Sequence, residues 1–506
     1  MELEPIETVQ KLAGAVVFSA AFTAAAMAGL LALIRWRPWC ACPVCRAYVT
    51  SSWAEEFPNL GDWYAHLLRS SPRRTIRVHV LGSAVTADPA NVKHILQARF
   101  DVYPKGAAFS AVLGDLLGRG IFNADGEDWR FQRKLATLEL SSPSLRAFAS
   151  LSLSSILRRR LLPFLRRLPA DNLIDLQNVF RRFAFDAICA VSFGIDRIES
   201  LPATTALAAA FDAATSLSAS RAASPVPIVW RIKRLLNVGS ERRLRHSLRL
   251  VDLLADHLIS DRRRLLATSS SDAIHHDLLS RFMASVDDDR YLRDIVVSLL
   301  LAGRDTVAAA LTGIFLLLPR HPAVTAAIRR EVDFYFPGTG EDSGEIVAGA
   351  EELREMHYVH AVVHEGMRLF PPVQFDSKFC AADDVLPDGT FVRKGTRVIY
   401  HAYAMGRMEA EWGPDAAEFR PERWLRDGVF SPESPFKYPV FQGGQRMCVG
   451  KEMALMEIKA VVVAIVGEFD VELAGGVKTP VFMPGLTATL RDGLPVRVRR
   501  RCFGAG

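Results

Sequence analysis

The stretch from Phe441 to Gly450, FQGGQRMCVG, sets Cys448 between a glycine-rich loop and a long apolar run. By burial preference alone, a free cysteine is a small core residue. The surroundings of this one suit another use. Glycines at 443, 444 and 450 let the backbone approach closely and turn sharply. A helix starting after Gly450 would aim its positive end and free N–H groups at the sulfur. Such a setting lowers a thiol's pKa and favours the thiolate. A thiolate on a haem iron raises electron density at the metal and favours O–O cleavage. Phe441, Gly444, Arg446, Cys448 and Gly450 together spell F-x-x-G-x-R-x-C-x-G. At average residue frequencies such a match arises by chance in on the order of one chain in ten thousand.

Other chemistry-bearing residues lie upstream. VVSLLLAGRDTVAAALTG places Ala302, Gly303, Asp305 and Thr306 in the middle of an apolar helix. Taken alone, an acid and an alcohol there read as a helix face turned to water. Beside an oxygen-activating centre they read as a relay, because releasing water from dioxygen requires two protons. Glu365 and Arg368 in HEGMR stand at i, i+3, ordinarily a surface pair worth a few tenths of a kcal/mol. Trp129 and Arg133, four apart, share one helix face. Arg446 carries the guanidinium geometry that suits carboxylates.

The Cys448 motif resembles the haem loop of cytochromes P-450, and the other groups follow in the order that family uses. The resemblance implies a P-450 fold, mainly α with small β-sheets, holding haem b through the Cys448 thiolate. It implies that Ala302 and Gly303 open an oxygen pocket and that Asp305 and Thr306 deliver protons. It further implies that Trp129, Arg133 and Arg446 hold the haem propionates, with Phe441 and Gly450 shaping the loop. FRPERW supplies Arg423, which with Glu365 and Arg368 would form a buried structural network. Where relatives have an arginine after the PP dipeptide this chain reads PPVQFDSK, so Lys378 is the substitute, and Gln445 stands where proline is common. SSWAEEFPNLGDWYAHLLRSSP, YPKGAAFSAVLGDLLGRGIFN and YHAYAMGRMEAEWGPD look like plant family 94, and Val307 looks most like its subfamily C. Members of that branch oxidise 12-hydroxy-jasmonoyl-isoleucine to the 12-carboxy product, or the ω-carbon of fatty acids. The expected partners are O2, a separate NADPH–cytochrome P-450 reductase and a small lipid-like carboxylate. A haem-thiolate isomerase or dehydratase, or a non-catalytic haem sensor, is the alternative; neither needs the intact Asp305–Thr306 pair. Recognition residues are expected around Tyr103–Ser110 and Ser216–Val229, with Lys105 a candidate for a substrate carboxylate.

These residues need a large core to position them. The chain has 506 residues, 50% hydrophobic and 23% charged, as a large globular protein does. A net charge of +6 from 62 basic and 56 acidic residues, spread along the chain, does not mark a nucleic-acid binder. No P-loop or dinucleotide glycine fingerprint occurs. Helical periodicity dominates from about Asn91 to Arg368, with loops at Thr268–His276 and Pro337–Glu345. Hairpins are expected in TIRVHVLGSAVTADP turning at Gly82-Ser83, in VLPDGTFVRKGTRVIY at Asp388-Gly389 and in LTATLRDGLPVRV at Asp492-Gly493.

Residues 12–34 are uncharged and long enough to span a bilayer. Glu2, Glu4 and Glu7 precede them, and Arg35, Arg37 and Arg46 follow. By the positive-inside rule, 1–34 reads as an endoplasmic-reticulum anchor segment with the catalytic domain, 51–506, in the cytosol. The stretch 35–50 reads as a proline- and cysteine-rich linker. It carries Cys40, Cys42 and Cys45, whose neighbouring sequence offers no fourth ligand. That argues against a structural zinc and leaves acylation open.

Overall fold

The computed structural model describes residues 40, 42–169, 171–195, 204–268, 277–337, 345–475, 479–483 and 485–501. Its centre is a set of largely buried helices, one of which, Thr306–Leu317, is apolar on every side, the pattern of a helix enclosed by protein. Helix α4 (Asp289–Leu300) runs through a widened π-turn (Leu301–Asp305) into α5 (Thr306–Leu317). Every residue of α5 after Thr306 is buried. Helix α7 (Lys451–Glu468), just beyond the Cys448 loop, is buried continuously from Ile458 to Glu468. Leu311, Ile314 and Phe315 of α5 share one core with Phe180 of α3 (Leu176–Phe193), Val362 and Val363 of α6 (His357–Leu369), and Val461–Ile465 of α7. Phe180 and Phe315 meet with ring centroids 5.1 Å apart.

Small sheets flank this core. One has the order β1-β2-β5-β4, from Thr75–Val78, Ser83–Thr86, Arg397–Tyr400 and Asp376–Phe379. β2 pairs with β5 in parallel, and the other two pairings are antiparallel. A second sheet joins β6 (Phe469–Leu473), β7 (Pro495–Arg500) and β3 (Leu173–Asp175). β3 interrupts the span expected to be helical.

The structure corrects several expectations. Residues 43–50 of the supposed linker are a helix, α1 (Pro43–Thr50), which Cys42 caps by accepting from the Cys45 amide; Pro43 at the first position suits a helix start. The first hairpin forms, pairing Thr75 with Thr86, but its reversal is a 3₁₀ turn over His79–Leu81 ending in Gly82 at φ 57°. The hairpin about Asp388-Gly389 closes between 384–385 and 391–392. The last one does not form: Thr489–Leu490 pairs with Phe482–Met483, whereas β7 pairs with β6 and β3. The cause is Asp175, whose carboxylate accepts from the Leu494 amide at 2.8 Å and sits beside Gly493, φ 67°. That contact turns the chain into another sheet. The apolar run 12–34 and most of the loops at 268–276 and 337–345 lie outside the described residues. Among the described residues, the one helix long and apolar enough to cross a membrane is Asp289–Arg320, 72% buried inside the protein.

Candidate active site

The Cys448 loop is built by backbone closure. The Cys448 amide donates to the Phe441 carbonyl at 2.8 Å, and the Met447 amide donates to the Gly444 carbonyl at 3.2 Å. Gly444 has φ 59°, and a Cβ there would lie 2.1 Å from the Leu96 carbonyl oxygen. No side chain fits that approach. Gln442, not a glycine, carries the other positive φ, 64°, and its side chain accepts from the Tyr400 hydroxyl. Gly450 precedes α7 and leaves its Cβ direction open toward the sulfur, 4.0 Å away.

Cys448 is accessible at its surface although protein surrounds its thiol densely. Burial pushes this thiol up; the Gly450 amide, Arg133 and Lys451 pull the other way and do not overcome it. The helix end and the nearby cations favour the thiolate, as the sequence reading expects, but without a bound metal they do not outweigh burial. Desolvation wins over the dipole, and a bound cation is what deprotonates a coordinating thiol outright.

Four cations converge beside the loop. Arg446 donates to Asp125 at 2.6 Å and to the Ala124 carbonyl at 2.9 Å, and stacks 4.6 Å over the Trp129 ring. Its Nε is buried without a partner among the described residues. Arg133 donates to the Met447 carbonyl, tying α2 (Gly126–Ser141) to the loop. Lys105 pairs with Asp376 at 2.6 Å, and Lys378, 1% exposed, lies 3.5 Å from the same carboxylate. Burial and the neighbouring Lys105 push the Lys378 ammonium well down, while Asp376 is held well below the carboxylate range by both lysines despite its own burial. Lys105 is thus buried and committed to Asp376, not a free loop lysine awaiting a substrate. Among the described residues, Lys105, Arg133, Lys378 and Arg446 have ion-pair partners only in Asp125 and Asp376. The orphaned Arg446 Nε and the suppressed Lys378 both call for further anions. The two propionates of a haem are the complement, and the residues present fit that group.

On α4–α5 the π-turn falls on Leu301–Asp305, the kind of one-residue widening that recurs at functional sites. The Thr306 hydroxyl donates to the Ala302 carbonyl, so its lone pairs remain as acceptors. Gly303 backs onto α3, where a Cβ would lie 2.3 Å from Ile188 Cδ1. Its small size allows helix contact on that side. Burial pushes Asp305 up to about 6, with Arg304 opposing. Asp305 lines a cavity of about 10 Å³ with Gln177, Arg181 and Thr312, room for about one water.

Arg304 is the residue the sequence reading missed. It is 3% exposed and donates to Asp212 at 2.6 Å and Asp305 at 3.0 Å. The only local signal was an arginine inside an apolar helix next to the acid.

Glu365 and Arg368 are fully buried. Arg368 uses all five donors: two on Glu365, and the others on the carbonyls of Gly406, Ala416 and Glu418. Arg423 and Trp424 donate to Glu365, each at 2.9 Å. The network stitches α6 to the chain entering the cysteine loop.

A loop cysteine, a cation cluster with few carboxylate partners among the described residues and an acid–alcohol pair on a widened central helix are what a haem-thiolate protein requires. The comparisons agree: the cytochrome P450 family model matches residues 72–495. Cytochrome P450 94C1 of Arabidopsis thaliana is 56% identical over 92% of this chain and 94% of its own length. Cytochrome P450 94B1 of the same plant is 43% identical over 87% of each, and cytochrome P450 94A1 of Vicia sativa is 41% identical over 87% and 86%. The chain belongs to the cytochrome P450 family, within its family 94. It is a haem-thiolate monooxygenase that uses O2 and NADPH-derived electrons passed through a reductase.

Proposed function

We propose that this enzyme oxidises the terminal carbon of jasmonoyl-isoleucine and of its 12-hydroxy derivative to the 12-carboxy product, inactivating the hormone. The 56% identity to cytochrome P450 94C1, maintained over nearly the whole chain, carries this reading. The domain plan belongs to it: residues 12–34 anchor the chain in the endoplasmic reticulum membrane, and 51–506 form the cytosolic catalytic domain.

Bound haem supplies dioxygen reduction and C–H oxidation, chemistry that belongs to the cofactor. The chain's residues position and protonate. Cys448 would ligate the iron, and Arg133, Lys378 and Arg446 would neutralise the propionates, with Trp129 stacked on Arg446 and Lys105 holding Asp376. Asp305, held near 6, takes protons from the water-sized cavity behind it and passes them toward the Thr306 hydroxyl. Arg304 holds Asp305 in place.

The test uses membranes containing the protein, a plant reductase and NADPH, offered jasmonoyl-isoleucine, the 12-hydroxy derivative and a C18 fatty acid. Products are identified by mass. Fastest conversion of the 12-hydroxy hormone to the 12-carboxy acid is expected. Turnover of fatty acids alone overturns the hormone assignment and makes the protein a fatty acid ω-hydroxylase.

A further inference from the structure

Far along the chain from the cysteine loop, where α1 meets the first sheet, four soft ligand atoms converge. The sulfurs of Cys40, Cys42 and Cys45 and an imidazole nitrogen of His79 all lie within 4.8 Å of one another. The neighbouring sequence offers the cysteines no fourth partner. Folding supplies one, because the 3₁₀ turn that reverses β1 into β2 begins at His79 and packs against α1.

We propose that Cys40, Cys42, Cys45 and His79 form a structural zinc site that clamps the segment entering the catalytic domain to the β1–β2 turn.

Three thiolates and one imidazole are a donor set of closed, four-coordinate zinc. With metal–sulfur bonds of about 2.3 Å, a tetrahedron separates its sulfurs by about 3.8 Å. The present cluster therefore needs a contraction of about 1 Å at most, within the reach of side-chain torsions. The backbone is already arranged around the sulfurs. The Cys45 amide points at Cys42 Sγ, 3.4 Å away, and the Val80 amide points at Cys45 Sγ, also 3.4 Å away. Each N–H···S contact offsets part of the negative charge that a thiolate ligand keeps. One comes from α1 and the other from the His79 turn, so both segments are engaged before any ion binds. Cys42 caps α1, where the helix end favours an anionic sulfur.

The arrangement also disfavours the rival uses of these cysteines. A disulfide would consume two of the four groups and leave a third thiol and the imidazole unexplained. Burial at 1% exposure rules against acylation of Cys45, which accepts from a backbone amide; Cys40 is exposed, and its acylation is an outcome the test reads. The physical consequence is mechanical. The apolar segment 12–34 ends a few residues before Cys40 in the sequence. A metal joining Cys40 and Cys42 to His79 would stop the connection from swivelling and fix how the β1–β2 sheet faces whatever precedes it.

The experiment takes the full, haem-loaded chain without a polyhistidine tag, expressed in zinc-replete medium, together with His79→Ala and Cys42→Ser. Zinc and haem per chain are measured by elemental analysis and absorbance. His79 is exposed, so its truncation leaves the fold intact, and haem content reports that directly. The expected result is about one zinc per chain in the wild type and a loss of at least tenfold in both variants, with haem unchanged. Zinc-edge absorption is expected to give three sulfurs near 2.3 Å and one nitrogen near 2.0–2.1 Å. Trypsin cleavage after Arg46 is expected to rise several-fold in His79→Ala. Wild-type protein that holds less than about a tenth of an equivalent, and takes up none when reduced and offered zinc, overturns the proposal. Equal zinc in the variants, or an intact mass showing acylated or disulfide-bonded cysteines at these positions, overturns it as well.

Discussion

Replacing Asp305 with Asn should stabilise the enzyme while damaging it. Burial pushes the Asp305 carboxyl from 3.8 up to about 6, even with Arg304 pairing at 3.0 Å. The folded protein therefore binds more protons at this group than the unfolded chain does between those values. Stability falls as pH rises through that window, and above it the full cost remains. At 1.36 kcal/mol per pH unit, the interval from 3.8 to about 6 corresponds to about 3 kcal/mol. An Asn side chain has the shape of the protonated acid and no charge, and Arg304 keeps Asp212 at 2.6 Å. The variant should be more stable by about 3 kcal/mol at pH 7.5 and by roughly half of that at pH 5, where the wild-type acid is mostly protonated. With an unfolding entropy of about 2.1 cal/mol/K per residue over a chain of roughly this size, these are Tm gains of about 3 °C and under 2 °C. The assay is thermal unfolding of the haem-loaded protein at both pH values, beside NADPH-coupled turnover. Turnover should fall by about tenfold or more, because proton delivery from a positioned acid is worth about 10²–10⁴-fold. Equal Tm values at both pH values, or a lower Tm for Asn at pH 7.5, would refute the reasoning and show that the attraction to Arg304 outweighs the burial of Asp305.

Three further outcomes follow from the same geometry. Thr306→Ala removes the hydroxyl bonded to the Ala302 carbonyl; NADPH consumption should continue while peroxide replaces product, and normal coupling would sink the relay assignment. Arg368→Ala leaves Glu365 buried with fewer counter-charges and strands three carbonyls, so we expect a loss of about 3–5 kcal/mol and failure to retain haem, read by denaturant titration and haem content. Gly444→Ala forces a Cβ to 2.1 Å from the Leu96 carbonyl oxygen at positive φ; the cysteine loop should shift and haem incorporation should drop, whereas full occupancy would show the loop can relax.

Most of the site residues were legible because they sit in short, locally spelled segments. F-x-x-G-x-R-x-C-x-G needs only a turn and a helix start to make its point, and both follow from glycine conformation and helical periodicity. Trp129 and Arg133, or Glu365 and Arg368, face one way because a helix repeats every 3.6 residues. What could not be read was every effect that depends on distance in space. The C-terminal hairpin failed since Asp175, far away in sequence, captures the Leu494 amide. That Gly303 lets Ile188 of another helix pack against it was likewise invisible in the linear chain.

The sequence by itself determined the cofactor class, the order of the motifs and the helical core, because those rest on residue type and local spacing. Tertiary structure alone decided the energetics. Desolvation raises the Cys448 thiol against the Gly450 amide and Arg133, and the Asp305 carboxyl against the pull of Arg304. Folding gathers Lys105, Arg133, Lys378 and Arg446, drawn from four separated segments, into one charge cluster. It also brings His79 to three cysteines that the linear chain left without a partner. Burial and long-range contact set those values, and neither is a property of any short stretch of chain.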